Sequence, residues 1–129
     1  MSFDWSSYLT LAEYMNTKAG ESPNQEACYR SVVSRAYYAA FCLTRNYVRD
    51  SEGVAFGGND HRALQDYLIS RPHKPKKKLG NQLRILHQHR IKADYEDKLD
   101  ELPVNKASRS LIQARKIVNG LEQLRGLEP

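Results

Sequence analysis

Eight consecutive residues, Ala36-Tyr37-Tyr38-Ala39-Ala40-Phe41-Cys42-Leu43, are apolar or aromatic, and they fall inside a segment whose periodicity is helical. The segment opens at Ser22-Pro23-Asn24-Gln25. A Ser cap, a Pro at the first helical position and a Gln three residues after the Ser spell a capping box, and the helix is expected to run to about residue 50. A helix that is apolar on every face must be buried on more than one side. That demands a bundle of other helices around it. In so small a chain it also predicts that one side meets a partner subunit, so Tyr37, Tyr38 and Phe41 are expected in the core or at a dimer contact.

The remaining segments supply helices to pack against it. A first helix is predicted over residues 5–19, capped by Asp4 and stopped by Gly20, with Trp5, Tyr8, Ala12 and Met15 as its apolar stripe. Gly53, Gly57 and Gly58 mark a loop, after which Asn59 or Asp60 caps a short helix that turns Leu64, Tyr67 and Leu68 inward and ends before Pro72. A fourth helix is predicted over residues 76–98, with an inner track of Leu79, Leu83, Leu86, Arg90, Ile91 and Tyr95. Past Pro103, Ala107, Leu111, Ala114, Val118 and Leu121 form a near-heptad stripe that wants an antiparallel neighbour. No segment alternates with period two, as a half-buried strand would. The expected fold is all-α: an up-down bundle of four long helices and one short one, in a single domain over residues 1–129.

No apolar run approaches the roughly 18 residues of a membrane span, and the opening MSFDWSSYLT has no basic stretch leading into an apolar core. A cytoplasmic protein with no membrane contact is expected. Cys28 and Cys42 lie on one predicted helix about 21 Å apart at 1.5 Å per residue, beyond disulfide reach, so both are expected as free thiols.

Charge is unevenly spread. Residues 71–92 hold eight of the 20 Lys and Arg, three of the four His and no acid, which leaves 12 basic residues against all 15 acids elsewhere. Within that run Lys74, Lys76, Lys77 and Lys78 lead directly into Arg84, His87, His89, Arg90 and Lys92. RNA or another polyanion, an acidic partner protein, and plain solubility each account for such a run. At 100° per residue, Arg84, His87, Arg90 or Ile91, and Asp94 or Tyr95 fall near one side of the fourth helix. That side is either a solvated face with an Arg90–Asp94 pair, or a surface where Arg holds phosphate oxygens and His moves protons.

Other chemistries find no footing. His87 and His89 diverge by about 200° on a helix and cannot share one ion. Gly57-Gly58 lacks the Lys-Ser/Thr of a phosphate loop, and no nucleophile elbow frames a serine. No metal and no cofactor is expected.

Ser34-Arg35-Ala36-Tyr37-Tyr38-Ala39-Ala40-Phe41, followed by Arg90-Ile91-Lys92-Ala93-Asp94-Tyr95, resembles the HEPN domains (higher eukaryotes and prokaryotes nucleotide-binding). The closest likeness is to small prokaryotic members with Tyr-Tyr-Ala-x-Phe and a later Arg-x-x-Ala/Gly-Asp-Tyr, and it covers roughly residues 22–125. The resemblance implies a helical bundle that forms a homodimer. It also implies a role as a metal-independent endoribonuclease, a toxin paired with a nucleotidyltransferase antitoxin, or an RNA-processing or defence factor. In active relatives an Arg-x(4–6)-His motif from each subunit meets at the dimer cleft, and the RNA 2′-hydroxyl attacks its own phosphate. In this chain Asp94 stands about where those members place His. Arg84-x4-His89 fits the spacing, but it lies six residues early and its side chains point about 140° apart on an ideal helix.

Two functions follow. One is a HEPN-like RNA- or nucleotide-binding protein, with Lys76, Lys77, Lys78, Arg84, Arg90 and Lys92 as nucleic-acid contacts. In it, Arg84, His87, His89, Arg90, Asp94 and Tyr95 are the catalytic candidates. The other is a non-catalytic dimeric helical module whose basic patch grips an acidic partner such as a nucleotidyltransferase.

Overall fold

The computed structural model describes residues 2–127, and every regular element among them is helical. The order is α1 (Ser6–Lys18), a 3-10 turn (Ala19–Glu21), α2 (Gln25–Glu52), α3 (His61–Ile69), α4 (Lys74–Tyr95) and α5 (Pro103–Gly126). The helix periodicity read from the sequence therefore stands: four long helices and a short one form a bundle.

Local chemistry moves several ends. Asp4 does cap α1: its Oδ1 accepts the Ser6 backbone N–H at 3.0 Å and the Ser6 hydroxyl at 2.7 Å, bonds that hold its carboxyl below the usual range. The capping box expected at Ser22 does not form. Ser22 Oγ accepts the Asn24 N–H at 3.0 Å two residues before the helix, while the Gln25 amide donates to the Gly20 carbonyl at 2.8 Å. Gly53 ends α2 in the left-handed region at φ 72, with its N–H returning to the Arg49 carbonyl, which is the usual glycine stop. Asp60 precedes α3, but its carboxylate accepts the Gly57 N–H at 2.6 Å and so closes the preceding turn.

Helix α4 begins two residues earlier than expected, because Pro75 fits the first turn where no N–H is needed. It also ends at Tyr95, short of residue 98. Arg30 of α2 supplies the reason: its guanidinium donates to the carbonyls of Ala93 (3.1 Å), Glu96 (2.6 Å) and Asp97 (3.2 Å), satisfying the open end and turning the chain away.

Helix α2 is the axis of the core and packs against α1, α4 and α5. Ala36, Tyr37, Ala39, Ala40, Phe41 and Cys42 are all buried within this one chain, and only Tyr38 and Leu43 are half-buried. The all-round burial is as expected, but the bundle itself covers these faces without a partner subunit. Burial also pushes the Cys42 thiol up, and Cys28 and Cys42 are both free.

The inner track of α4 holds through Leu79, Leu83 and Leu86, then continues through Ala93. Ile91 and Tyr95, expected inward, are exposed. On α5 the buried stripe is Ala107, Ser110, Ala114, Ile117, Leu121 and Leu124, with Leu111 and Val118 at its edge. That is the same heptad period in a neighbouring register, which the polar Ser110 disguised. Helices α3 and α4 pack tightly at Gly80, where an added Cβ would lie 2.9 Å from both Leu68 Cβ and Ile69 Cγ1. From this crossing at the end of α3 the two helices run back along each other, so that His61 and Gln65 of α3 reach His87 in the middle of α4.

Candidate functional site

Where α2, α3 and α4 meet, aromatic and basic side chains from all three converge. Tyr37 of α2 is buried; its hydroxyl lies 2.6 Å from His61 Nδ1 of α3, and its ring stacks on His87 of α4 at 5.1 Å. His61 and His87 stack on each other at 4.9 Å, and Phe41 lies 4.4 Å from His61. The Gln65 amide nitrogen is 2.9 Å from His87 Nδ1. An amide nitrogen only donates, so Nδ1 accepts and neutral His87 carries its proton on Nε2.

Arg90 borders this stack. It donates to the Tyr38 hydroxyl, and its Nε lies 3.0 Å from Asp94 Oδ2, an ion pair out of line for a hydrogen bond. Its guanidinium sits near the rings of Tyr38 (5.0 Å), Tyr37 (5.8 Å) and Tyr95 (5.9 Å), and its side chain is 12% exposed. The Ser34 hydroxyl donates to Asp94 Oδ2 at 3.4 Å, so the Ser34 and Asp94 ends of the two sequence motifs touch. Tyr95 is 73% exposed beside them.

Electrostatics follow from burial and from the arginines. His87 is pushed down to about 4 by desolvation, the neighbouring His61, Arg90 and Arg62. Desolvation and Arg90 lower His61 as well. Both imidazoles are therefore neutral at pH 7, and the positive charge of the site rests on guanidiniums. Burial raises the Tyr37 hydroxyl, which stays protonated.

The sequence candidates divide. Arg90, Asp94, Tyr95 and His87 come together with Tyr37, Tyr38 and Phe41. Arg84 is exposed one helical turn before His87. His89 turns the other way, toward α5, where its Nδ1 lies 3.1 Å from the fully buried Lys106 Nζ. The Arg84–His89 pair thus does not converge, as the helix angle required.

The basic run divides too. Lys76 is tied to Glu52 at 3.2 Å, and Lys92 to Asp100 at 2.9 Å. Lys77 and Arg84 are exposed and, seven residues apart, share one stripe of α4. Lys74 and Lys78 line a groove between α4 and α5 instead. Sequence reasoning missed His61, Gln65 and Arg62. The signal for His61 was its place three and seven residues before Leu64 and Leu68, on the buried stripe of α3. Among the described residues no group of three or more His, Cys, Asp or Glu could hold a metal, and no helix is long and apolar enough to cross a membrane.

No curated protein and no solved structure matched the chain. The HEPN domain model matches residues 7–124, reaching from α1 to the last turns of α5 and so beyond the stretch that carries the resemblance in sequence. The chain belongs to the HEPN domain family.

Proposed function

We propose that this HEPN protein binds single-stranded RNA at the junction of α2, α3 and α4, as part of a toxin–antitoxin, defence or RNA-processing system. The observation that carries the reading is Arg90 set among Tyr37, Tyr38 and Tyr95, with Arg62 exposed at the start of α3 near His87 and Arg84 exposed one helical turn before His87. Guanidiniums suit phosphate oxygens, and an exposed tyrosine gives bases a surface on which to stack. The reading is binding rather than cleavage. Asp94 stands near the position of the active members' histidine, and His87 has Nδ1 committed to Gln65.

The homodimer belongs to this proposal. Since α2's apolar stretch is covered within the chain, α4, with exposed Ile91, is the helix assigned to the contact, and Tyr95 is left open to the bases. Two copies meeting there bring two RNA sites side by side.

The test is fluorescence anisotropy with a labelled single-stranded RNA at low salt, using parent protein, Arg84→Glu and Tyr95→Ala. Both substitutions lie on the surface, so folding is retained while affinity falls, each by about tenfold. The same RNA, incubated with EDTA and resolved by length, reads cleavage directly. Fragments ending in 2′,3′-cyclic phosphate would replace the binding reading with a nuclease. Equal affinity for all three proteins would remove the site.

A further inference from the structure

The groove between α4 and α5 lies on a different face from the Arg90 site. Its volume is about 720 Å³, and it runs along α4 from Lys74 to Gln82, opposite the C-terminal half of α5. Two features stand out. Among the described residues its charged lining is Lys74, Lys78 and Lys116, contributed by both helices and accompanied by no acid. Its wall on α5 includes Gly120, in the interior of a 24-residue helix.

Glycine is among the poorest helix formers, and a helix interior normally keeps one only where something approaches closely. Nothing among the described residues does: a Cβ at Gly120 would meet none of their atoms within 4 Å. At Gly80, by contrast, the close approach is α3 itself. The space over Gly120 is thus free in the chain while the backbone is kept bare.

The rest of the lining narrows what fits. Gln82, Asn119 and Gln123 offer amide donors and acceptors, and Leu127, 74% exposed, gives an apolar end. Along the same stripe of α5, four residues before Lys116, Ile112 is 57% exposed; Ile85 on α4 is exposed three residues after Gln82. Among the described residues no aromatic ring lines the groove, so stacked bases have no platform. A second copy docking symmetrically would set these lysines against their own images. An acidic helix has neither difficulty.

We propose that the α4–α5 groove is a docking site for an amphipathic helix of a partner protein, with its leucine-type stripe laid over Gly120 between Ile112 and Leu127 and its glutamates or aspartates facing Lys74, Lys78 and Lys116. This is recognition of a helix in a groove, with apolar anchors for affinity and a charged rim for orientation. It is independent of RNA binding on the other face.

The probe is a fluorescein-labelled peptide of about 16 residues, roughly four helical turns, with leucines on one stripe and glutamates flanking it. Anisotropy is read against the full chain and against Gly120→Leu and Lys116→Glu, with a scrambled peptide of the same composition as control. The expected result is saturable binding of the patterned peptide only, weakened about tenfold by each substitution. Melting temperatures do not fall, since Leu favours the helix over Gly and Lys116 is exposed, and affinity for single-stranded RNA is unchanged. Equal binding of the scrambled peptide, or parent-like affinity in both variants, overturns the proposal. Competition by poly(U) would make the groove a nucleic-acid surface, and a change in sedimenting mass on Gly120→Leu would make a second copy the occupant. Either outcome also overturns it.

Discussion

Arg90 of α4 donates a hydrogen bond to the Tyr38 hydroxyl of α2, linking the two motif-bearing helices across 52 residues of sequence. With Asp94 beside it and only 12% of the side chain exposed, this arginine is neither a plain surface ion pair nor a free phosphate ligand. It helps hold the bundle and keeps a cationic edge at the surface.

Removing it has a defined consequence. Arg90→Ala strands the Tyr38 hydroxyl and leaves Asp94 without its cation, at an expected cost of about 1–3 kcal/mol. Tyr38→Phe removes one acceptor and should cost about 0.5–1.5 kcal/mol. Arg90→Lys cannot span both partners with a single ammonium and should fall between wild type and Ala. Urea denaturation midpoints give all three values. An Arg90→Ala midpoint equal to wild type would mean that water replaces both contacts.

Acid should weaken the fold through His87. Its folded value of about 4 lies below the ordinary 6.5, so between those pH values the unfolded chain binds a proton that the folded chain refuses. Stability is then full above about pH 6.5 and falls as the pH drops toward 4; lowered His61 acts in the same direction. Discounting for partial exposure of the ring, the loss from His87 is about 1–2 kcal/mol. Melting curves at neutral and mildly acid pH, run on wild type and His87→Gln, should diverge, with the variant less sensitive to acid. Parallel curves would exclude His87 as the source.

Gly80 sets the spacing of α3 and α4, and with it the stack of His61 on His87. A methyl at Gly80 cannot be absorbed by a side-chain end alone, because Leu68 Cβ and the Ile69 backbone nitrogen lie within 3.0 Å of it. Gly80→Ala should therefore cost about 1–3 kcal/mol despite the better helix propensity of Ala. The imidazole resonances of His61 and His87 should shift with it. A stabilised variant with unmoved histidine resonances would show that the helices part without strain.

Sequence periodicity captured the helices because apolar stripes are local. It predicted burial of Tyr37 and Phe41 for the right reason, yet it assigned part of that burial to a second subunit. Three long helices, with His61 of α3 added, suffice to cover α2, and that follows only from tertiary packing. Ile91 and Tyr95 read as inner-track residues in sequence, whereas in the fold they are exposed and the small Ala93 carries the track on. The histidine stack was illegible for a related cause. His61 and His87 lie on different helices, and only the crossing at Gly80 makes them neighbours. Likewise, a continuous run of positive charge in sequence says nothing of how a helix distributes it around its axis.

That distribution separates two adjacent lysines. Lys77 lies seven residues before Arg84 and points, within about 20°, along the same stripe of α4. Lys78 lies about 100° further round, lining the α5 groove beside Lys116. Charge reversal at Lys77 should therefore weaken RNA binding at the proposed site and lower the slope of log affinity against log salt by about 1, the loss of one phosphate contact. Lys78→Glu carries the identical change in net charge. With screening over about 8 Å at physiological salt, it should leave that slope unaltered and reduce RNA affinity far less. Lys76→Glu is a poorer probe, since it would place two carboxylates together at Glu52 and destabilise the junction of α2 and α4. Salt titrations of the Lys77 and Lys78 variants decide the matter. Equal slopes and equal losses would mean that the protein attracts RNA by net charge alone, with no oriented face on α4.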